Sequence, residues 1–259
     1  MKRIFTYGCS FTSWRWPTWP HILQHALPDY QVNDRAFEGK GNIAILHDLL
    51  EDDLKHKFTE DDIILIVWTG WTREDRFHDG VWLCDGNIHT GDTHSKEFIE
   101  NYWSMSNDIM KNTSAIVMAN RLFNINHQAH AFDYDDLTSN PAQFRFYEKQ
   151  KISVDYDFSH LIDALPEKLL FNTMGTQFDN KTWDKHPDIL SQLQHATEIM
   201  QSINMQVPQE TIEFFEQQQQ KVITELTNTN GPNQDWNEFR RVFADLFPEC
   251  TPRFRRKQQ

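Results

Sequence analysis

A chain of 259 residues that is 39% hydrophobic and 13% aromatic, with nine Trp and nineteen Phe, can bury a substantial core and is too aromatic to stay disordered. Its formal charge of −13, from 25 Lys and Arg against 38 Asp and Glu, repels a phosphate backbone and disfavours general nucleic-acid binding. Nine Gly are too few for a turn-rich β-sandwich, and three scattered Cys without a C-x-x-C pair support neither a zinc knuckle nor a disulfide framework.

The first elements follow at once. Ile4–Tyr7 is a short β-prone run ending on Gly8, which delivers Ser10 into a tight turn. Ser10 and Thr12 are good helix N-cap types, Trp16–Pro20 suits a loop entering a helical turn, and His21–Ala26 continues as helix up to Pro28. Tyr30–Asn33 reads as a second strand, followed by the glycine-bearing turn Arg35–Asn42. Ile45, Leu46, Leu49, Leu50 and Leu54 then recur at helical spacing within Ile43–Lys57. Ile63–Trp68, an unbroken apolar run bounded by charge, predicts a central strand covered on both faces. Strand, helix, strand, helix, strand is the rhythm of a parallel α/β sheet, whose ligands sit at the carboxyl ends of its strands. Those ends carry Ser10, Gly39 and Thr69, which are expected to face one crevice.

Further along, 77–95 reads as irregular, with Asp85-Gly86-Asn87 as a turn, and Glu97–Asn124 as one long helical stretch. Gln128–Tyr134 suits another strand, 135–182 is mixed with a helix over Asp155–Leu165, and Ile189–Ile203 is an amphipathic helix. Glu210–Leu226 and Asp235–Phe247 read as two polar-faced helices. The division expected is an α/β domain over 1–204 and a helical C-terminal extension over 205–259 that ends in the basic tail Arg253–Lys257. No apolar run approaches the ~20 residues of a membrane span. The run after Lys2-Arg3 breaks at Gly8, too soon for a signal peptide, so a cytoplasmic protein is expected.

A serine becomes a nucleophile only when an imidazole takes its proton, an acid fixes that imidazole, and N–H donors receive the oxyanion. Ser10, His186, Asp184 and the amides of Ser10 and Gly39 are the candidates for these roles. His89, Asp92 and His94 have ligand chemistry at close spacing, but the segment is loop-like and lacks a further partner, so no metal or other cofactor is expected. Trp14, Trp16 and Trp19 beside Ser10 read either as core packing or as a stacking wall for a ring-shaped substrate. Arg73 reads either as half of an exposed pair with Glu74 or as a ligand for an anionic substrate group.

Gly8-Cys9-Ser10-Phe11-Thr12, Gly39-Lys40-Gly41-Asn42, Trp68-Thr69 with Arg73-Glu74, and Asp184-Lys185-His186-Pro187 together resemble the four blocks of the SGNH (GDSL-type) hydrolases. The likeness spans roughly residues 1–203 and is closest to a divergent branch met in phage genomes. It implies a three-layer, flavodoxin-like α/β fold and hydrolysis of an acyl or acetyl ester on a carbohydrate or lipid-like substrate. Ser10 would be the nucleophile, His186 the base and Asp184 its orienting acid. Two departures stand out. The third block lacks the family's asparagine, leaving Thr69, a backbone amide or Asn42 to take over as oxyanion donor, and Asp184 precedes His186 by two residues rather than three. The alternative reading is a catalytically degenerate binding or structural protein that docks a partner, or a second copy, through 205–259.

Overall fold

The computed structural model describes residues 2–88, 94–131, 164–165, 186–228 and 236–250. Its centre is a parallel sheet of β1 (Lys2–Tyr7), β2 (Tyr30–Asp34), β3 (Ile63–Trp68) and β6 (His127–His130) in the order β2-β1-β3-β6. Side-chain alternation divides each central strand between two cores. Ile4, Leu65 and Val67 face one side with α1 (Trp19–Ala26) and α5 (Ile189–Ser202). Phe5, Tyr7, Ile64, Ile66 and Trp68 face the other, with α2 (Asn42–His56) and α4 (Met105–Leu122). Helices therefore cover both faces, which is why Ile63–Trp68 is apolar throughout rather than alternating.

From β1 the chain steps to β2 on one side, while β3 and β6 are added on the other. The winding reverses between β1 and β3, and an open α/β sheet leaves a crevice at that reversal, beyond the strands' carboxyl ends. Ser10 follows β1 and Thr69 follows β3, so the two flank the crevice.

Several boundaries differ from the sequence expectation. Thr18, not Ser10 or Thr12, occupies the N-cap of α1; its carbonyl accepts from the His21 and Ile22 amides, and Thr18 Oγ1 donates to Thr12 O at 2.5 Å. The stretch read as irregular holds an antiparallel hairpin, β4 (Arg73–His78) and β5 (Val81–Asn87). Its turn is Asp79-Gly80, both left-handed at φ 47° and 80°, as a two-residue hairpin turn of matching twist requires. Asp85-Gly86-Asn87 is thus part of a strand, not a turn. The long helix expected over 97–124 is two helices, α3 (Lys96–Asn101) and α4, separated where Ser104 caps α4 by accepting from the Asn107 amide.

The C-terminal helices form as expected, as α6 (Gln209–Asn228) and α7 (Trp236–Leu246) followed by a 3₁₀ turn over Pro248–Cys250. Phe215, Val222, Phe243, Phe247 and Cys250 join the same core as Ile4, Trp19 and Leu65. Gln219 also accepts the Ile189 N–H at 3.0 Å and donates to Asp188 Oδ2 at 2.9 Å, linking α6 to the start of α5. Among the described residues no helix is long and apolar enough to cross a membrane. Most of the expected 155–165 helix and the basic tail lie outside the described residues.

Candidate active site

The serine turn is dictated by sterics. The Thr12 and Ser13 amides both donate to Cys9 O, at 2.9 and 3.0 Å, folding the chain back over Gly8. A Cβ on Gly8 would lie 2.0 Å from Thr12 Oγ1 and 2.7 Å from Thr12 Cβ, so any side chain there must displace Thr12. Ser10 sits within it, 6% exposed.

The loop after β2 is held by a buried charge network. Asp34 Oδ1 accepts from Thr6 Oγ1 at 2.8 Å and from the Ala36 amide at 3.0 Å. Lys40 is fully buried, donates to Arg35 O at 2.5 Å and pairs with Asp48. Arg35 pairs in turn with Asp48, Glu51 and Asp52, and Tyr7 donates its hydroxyl to Asp52 at 2.9 Å. Burial pushes the Lys40 ammonium down and the Asp34 and Asp52 carboxyls up, against the neighbours that favour their charged forms.

The glycines on this loop have distinct causes. Gly39 has φ +81°, and a Cβ there would lie 2.3 Å from Cys84 O; its carbonyl accepts from the Gly86 amide at 3.1 Å. Gly41 leaves room for Asp75, whose two oxygens accept from the Gly41 amide at 2.8 Å and the Ala44 amide at 3.0 Å. The N-terminus of α2 is thus capped by a carboxylate from the hairpin. Burial raises the Asp75 pKa, and the two amides and the Cys84 thiol oppose that rise.

Asn42 and Thr69, both proposed from sequence as oxyanion donors, are bound to each other. Asn42 Nδ2 donates to Thr69 O at 2.9 Å, and the Thr69 amide donates to Asn42 Oδ1 at 2.8 Å. The Asn42 carboxamide therefore clamps the end of β3 to the start of α2. Thr69 Oγ1 is buried and has no hydrogen-bond partner among the described residues, a state that calls for a ligand or a water. Arg73, read either as a partner of Glu74 or as an anion ligand, opens β4 and donates to Lys40 O at 3.2 Å, while Glu74 pairs with Lys111.

His186, on the segment leading into α5, lies against the serine turn. Its ring stacks on Trp14 with centroids 3.4 Å apart and planes 17° apart, and meets the edge of Phe11 at 5.5 Å. Trp16 Nε1 donates to Pro187 O at 2.9 Å, Gln192 Nε2 donates to Phe11 O at 2.9 Å, and the Trp19 amide donates to Gln192 Oε1 at 3.0 Å. The Trp cluster is core packing: Trp16 and Trp19 are fully buried, and Trp14, 5% exposed, lies under the His186 ring. Asp188 serves α5, accepting from the Ser191 amide at 2.8 Å. Asp184 lies outside the described residues, as do His89 and Asp92, while His94 stacks on Phe98 at 5.1 Å. Among the described residues no group of three His, Cys, Asp or Glu is arranged to hold a metal ion.

Arg15 and Gln192 escaped the sequence reading. Arg15 is 4% exposed and pairs with Glu38 at 2.5 Å, tying the serine loop to the Gly39 loop. An arginine between two tryptophans was its only signal; Gln192 carried none. Three links therefore gather Ser10, Gly39, Thr69 and His186 at one end of the sheet: Arg15–Glu38, Asn42–Thr69 and Trp14–His186. The arrangement supplies a hydroxyl, an imidazole and potential oxyanion donors, the parts of acyl transfer. No family model and no curated protein matches this chain.

Proposed function

We propose that the protein is a serine hydrolase of the SGNH type, with a flavodoxin-like fold, that cleaves an acyl or acetyl ester of a carbohydrate or lipid-like substrate. The observation that carries this reading is the seating of His186 on Phe11 and Trp14, the residues just past Ser10, by a segment more than 170 positions away in sequence. In the proposed reaction Ser10 Oγ bonds to the ester carbonyl carbon as its proton passes to His186. The carbonyl oxygen becomes an oxyanion facing the Ser10 and Gly39 amides and the Thr69 hydroxyl. Collapse breaks the ester C–O bond, and His186 returns the proton to the departing alkoxide. Water, deprotonated by the same imidazole, then bonds to the acyl carbon, the bond from that carbon to Ser10 Oγ breaks, and His186 returns the proton to Ser10. Asp184 would orient His186.

Thr69 supports this reading because its buried hydroxyl is a donor without another role, at the position where the family's asparagine is missing. The test is hydrolysis of p-nitrophenyl acetate together with fluorophosphonate labelling. Ser10→Ala abolishes both, and Thr69→Val lowers kcat by ~10²-fold, as loss of one oxyanion donor does. Equal labelling of wild type and Ser10→Ala overturns the assignment. The second reading, a non-catalytic binding protein, is favoured by one observation, the engagement of Asn42 with the Thr69 backbone instead of the crevice. It expects no labelling of the wild-type chain.

A further inference from the structure

The serine and histidine segments share one ring contact closer than any other among the described residues. The imidazole of His186 lies face to face on the Trp14 indole at 3.4 Å and 17°, while the other aromatic pairs of the described residues stand at 4.7 Å or more. His186 is half-buried and precedes α5 on a short irregular segment, so its backbone alone does not fix its ring. A general base must present one nitrogen in one direction, and an imidazole free to turn about its side-chain torsions loses that orientation. Trp14 closes one face of the ring and Phe11, edge-on at 81°, closes a second side.

The indole is itself firmly held. Trp14 is 5% exposed, and Trp16 meets it edge-on at 6.1 Å. Its Nε1–H is buried without an acceptor among the described residues, so packing and not a hydrogen bond sets the plane of the ring. The Arg15 guanidinium carbon lies 5.6 Å from the same ring, with its charge directed to Glu38.

We propose that Trp14 is a positioning residue for His186, fixing the plane of the imidazole beside the Ser10 turn. The catalytic half of this proposal rests on the hydrolase reading; the geometric half does not.

Two measurements separate them. In a histidine-labelled sample, the His186 Cε1–H and Cδ2–H resonances, assigned with His186→Gln, are shifted upfield by the indole ring current. That shift is lost in Trp14→Leu and kept in part in Trp14→Phe. Absence of the shift in the wild type overturns the proposal whether or not the protein hydrolyses esters. In the ester assay Trp14→Leu lowers kcat by ~10–10²-fold with KM little changed, as misplacement of a reacting group does. Trp14→Phe recovers most of the loss, and Ile116→Ala, a buried change in the other helix layer, controls for lost stability. An upfield shift with Ser10-dependent hydrolysis but an unchanged kcat in Trp14→Leu removes the positioning role. An upfield shift without any Ser10-dependent hydrolysis upholds the geometry and sinks the hydrolase reading alone.

Discussion

At the scale of single residues, the candidate site is shaped first by what a Cβ would strike. Gly8 is the sharpest case. Its neighbour is the Thr12 side chain at 2.0 Å, with Val67 O next at 3.2 Å. Gly8→Ala is expected to cost about 1–3 kcal/mol in urea denaturation, the usual range for forcing an atom into a filled space. Thr12→Ala removes the atom 2.0 Å away but keeps the Cβ at 2.7 Å, so Gly8→Ala/Thr12→Ala should recover only part of that loss. Additive effects of the two changes would show that the clash is relieved elsewhere. Gly39 offers no such rescue, since the atom in its way is a backbone carbonyl and its φ of +81° suits only glycine. The sequence already marked Gly8, Ser10 and Gly39, because a glycine at a strand end advertises a constraint. It could not say which constraint: Gly41 read as an ordinary turn glycine, and only the approach of Asp75 explains it.

At the scale of elements, the hairpin and α2 depend on each other. Asp75 on β4 satisfies two of the amides that open α2, and the same helix start carries the Asn42 clamp on Thr69. Asp75→Ala should cost about 2–3 kcal/mol, since it leaves two buried N–H groups without acceptors. It should also speed hydrogen exchange at Gly41 and Ala44 while amides of β3 stay protected. Asp75→Asn keeps one acceptor and should lose less, because burial already works against the carboxylate's charge. Unchanged exchange at Gly41 and Ala44 in Asp75→Ala would contradict the capping role. The helices and central strands were legible from periodicity and from the apolar run Ile63–Trp68. The hairpin was not, although Asp79-Gly80 is a strong turn signal. Its first strand, Arg-Glu-Asp-Arg-Phe-His, pairs outside the main sheet with its outer half exposed, so no buried face imposes an alternating pattern.

At the scale of the whole molecule, a buried histidine in one helix layer and a buried carboxyl in the other have opposing effects on stability. Between β6 and α5, His127 donates or accepts at Ser202 Oγ, 3.1 Å from Nδ1, and faces His195, which lies 3.9 Å from Glu198. Burial first, and His195 next, lower its pKa from 6.5 to about 4. The folded state therefore binds this proton less readily than the unfolded chain, and the stability it contributes above pH ~6.5 is lost as pH falls towards 4. On the other layer Asp108 accepts from Trp103 Nε1 at 2.7 Å, with Lys111 at 3.4 Å and Glu74 paired to that lysine at 2.5 Å. Burial outweighs the Trp103 hydrogen bond and the Lys111 charge, raising the Asp108 pKa from 3.8 to about 6. Its contribution is fully present below pH ~4 and is lost as pH rises through 6, the reverse of His127. Shifts of this size correspond to ~3 kcal/mol each, and between pH 4 and 6 they act in opposite directions. Substituting either one should expose the other. In urea denaturation from pH 7 to pH 4, Asp108→Asn should lose stability more steeply than the wild type, and His127→Asn less steeply, whatever offset each shows at pH 7. Parallel curves for all three proteins would mean that neither group titrates in the buried setting described, and that the acid response belongs to the exposed carboxylates of this strongly anionic surface.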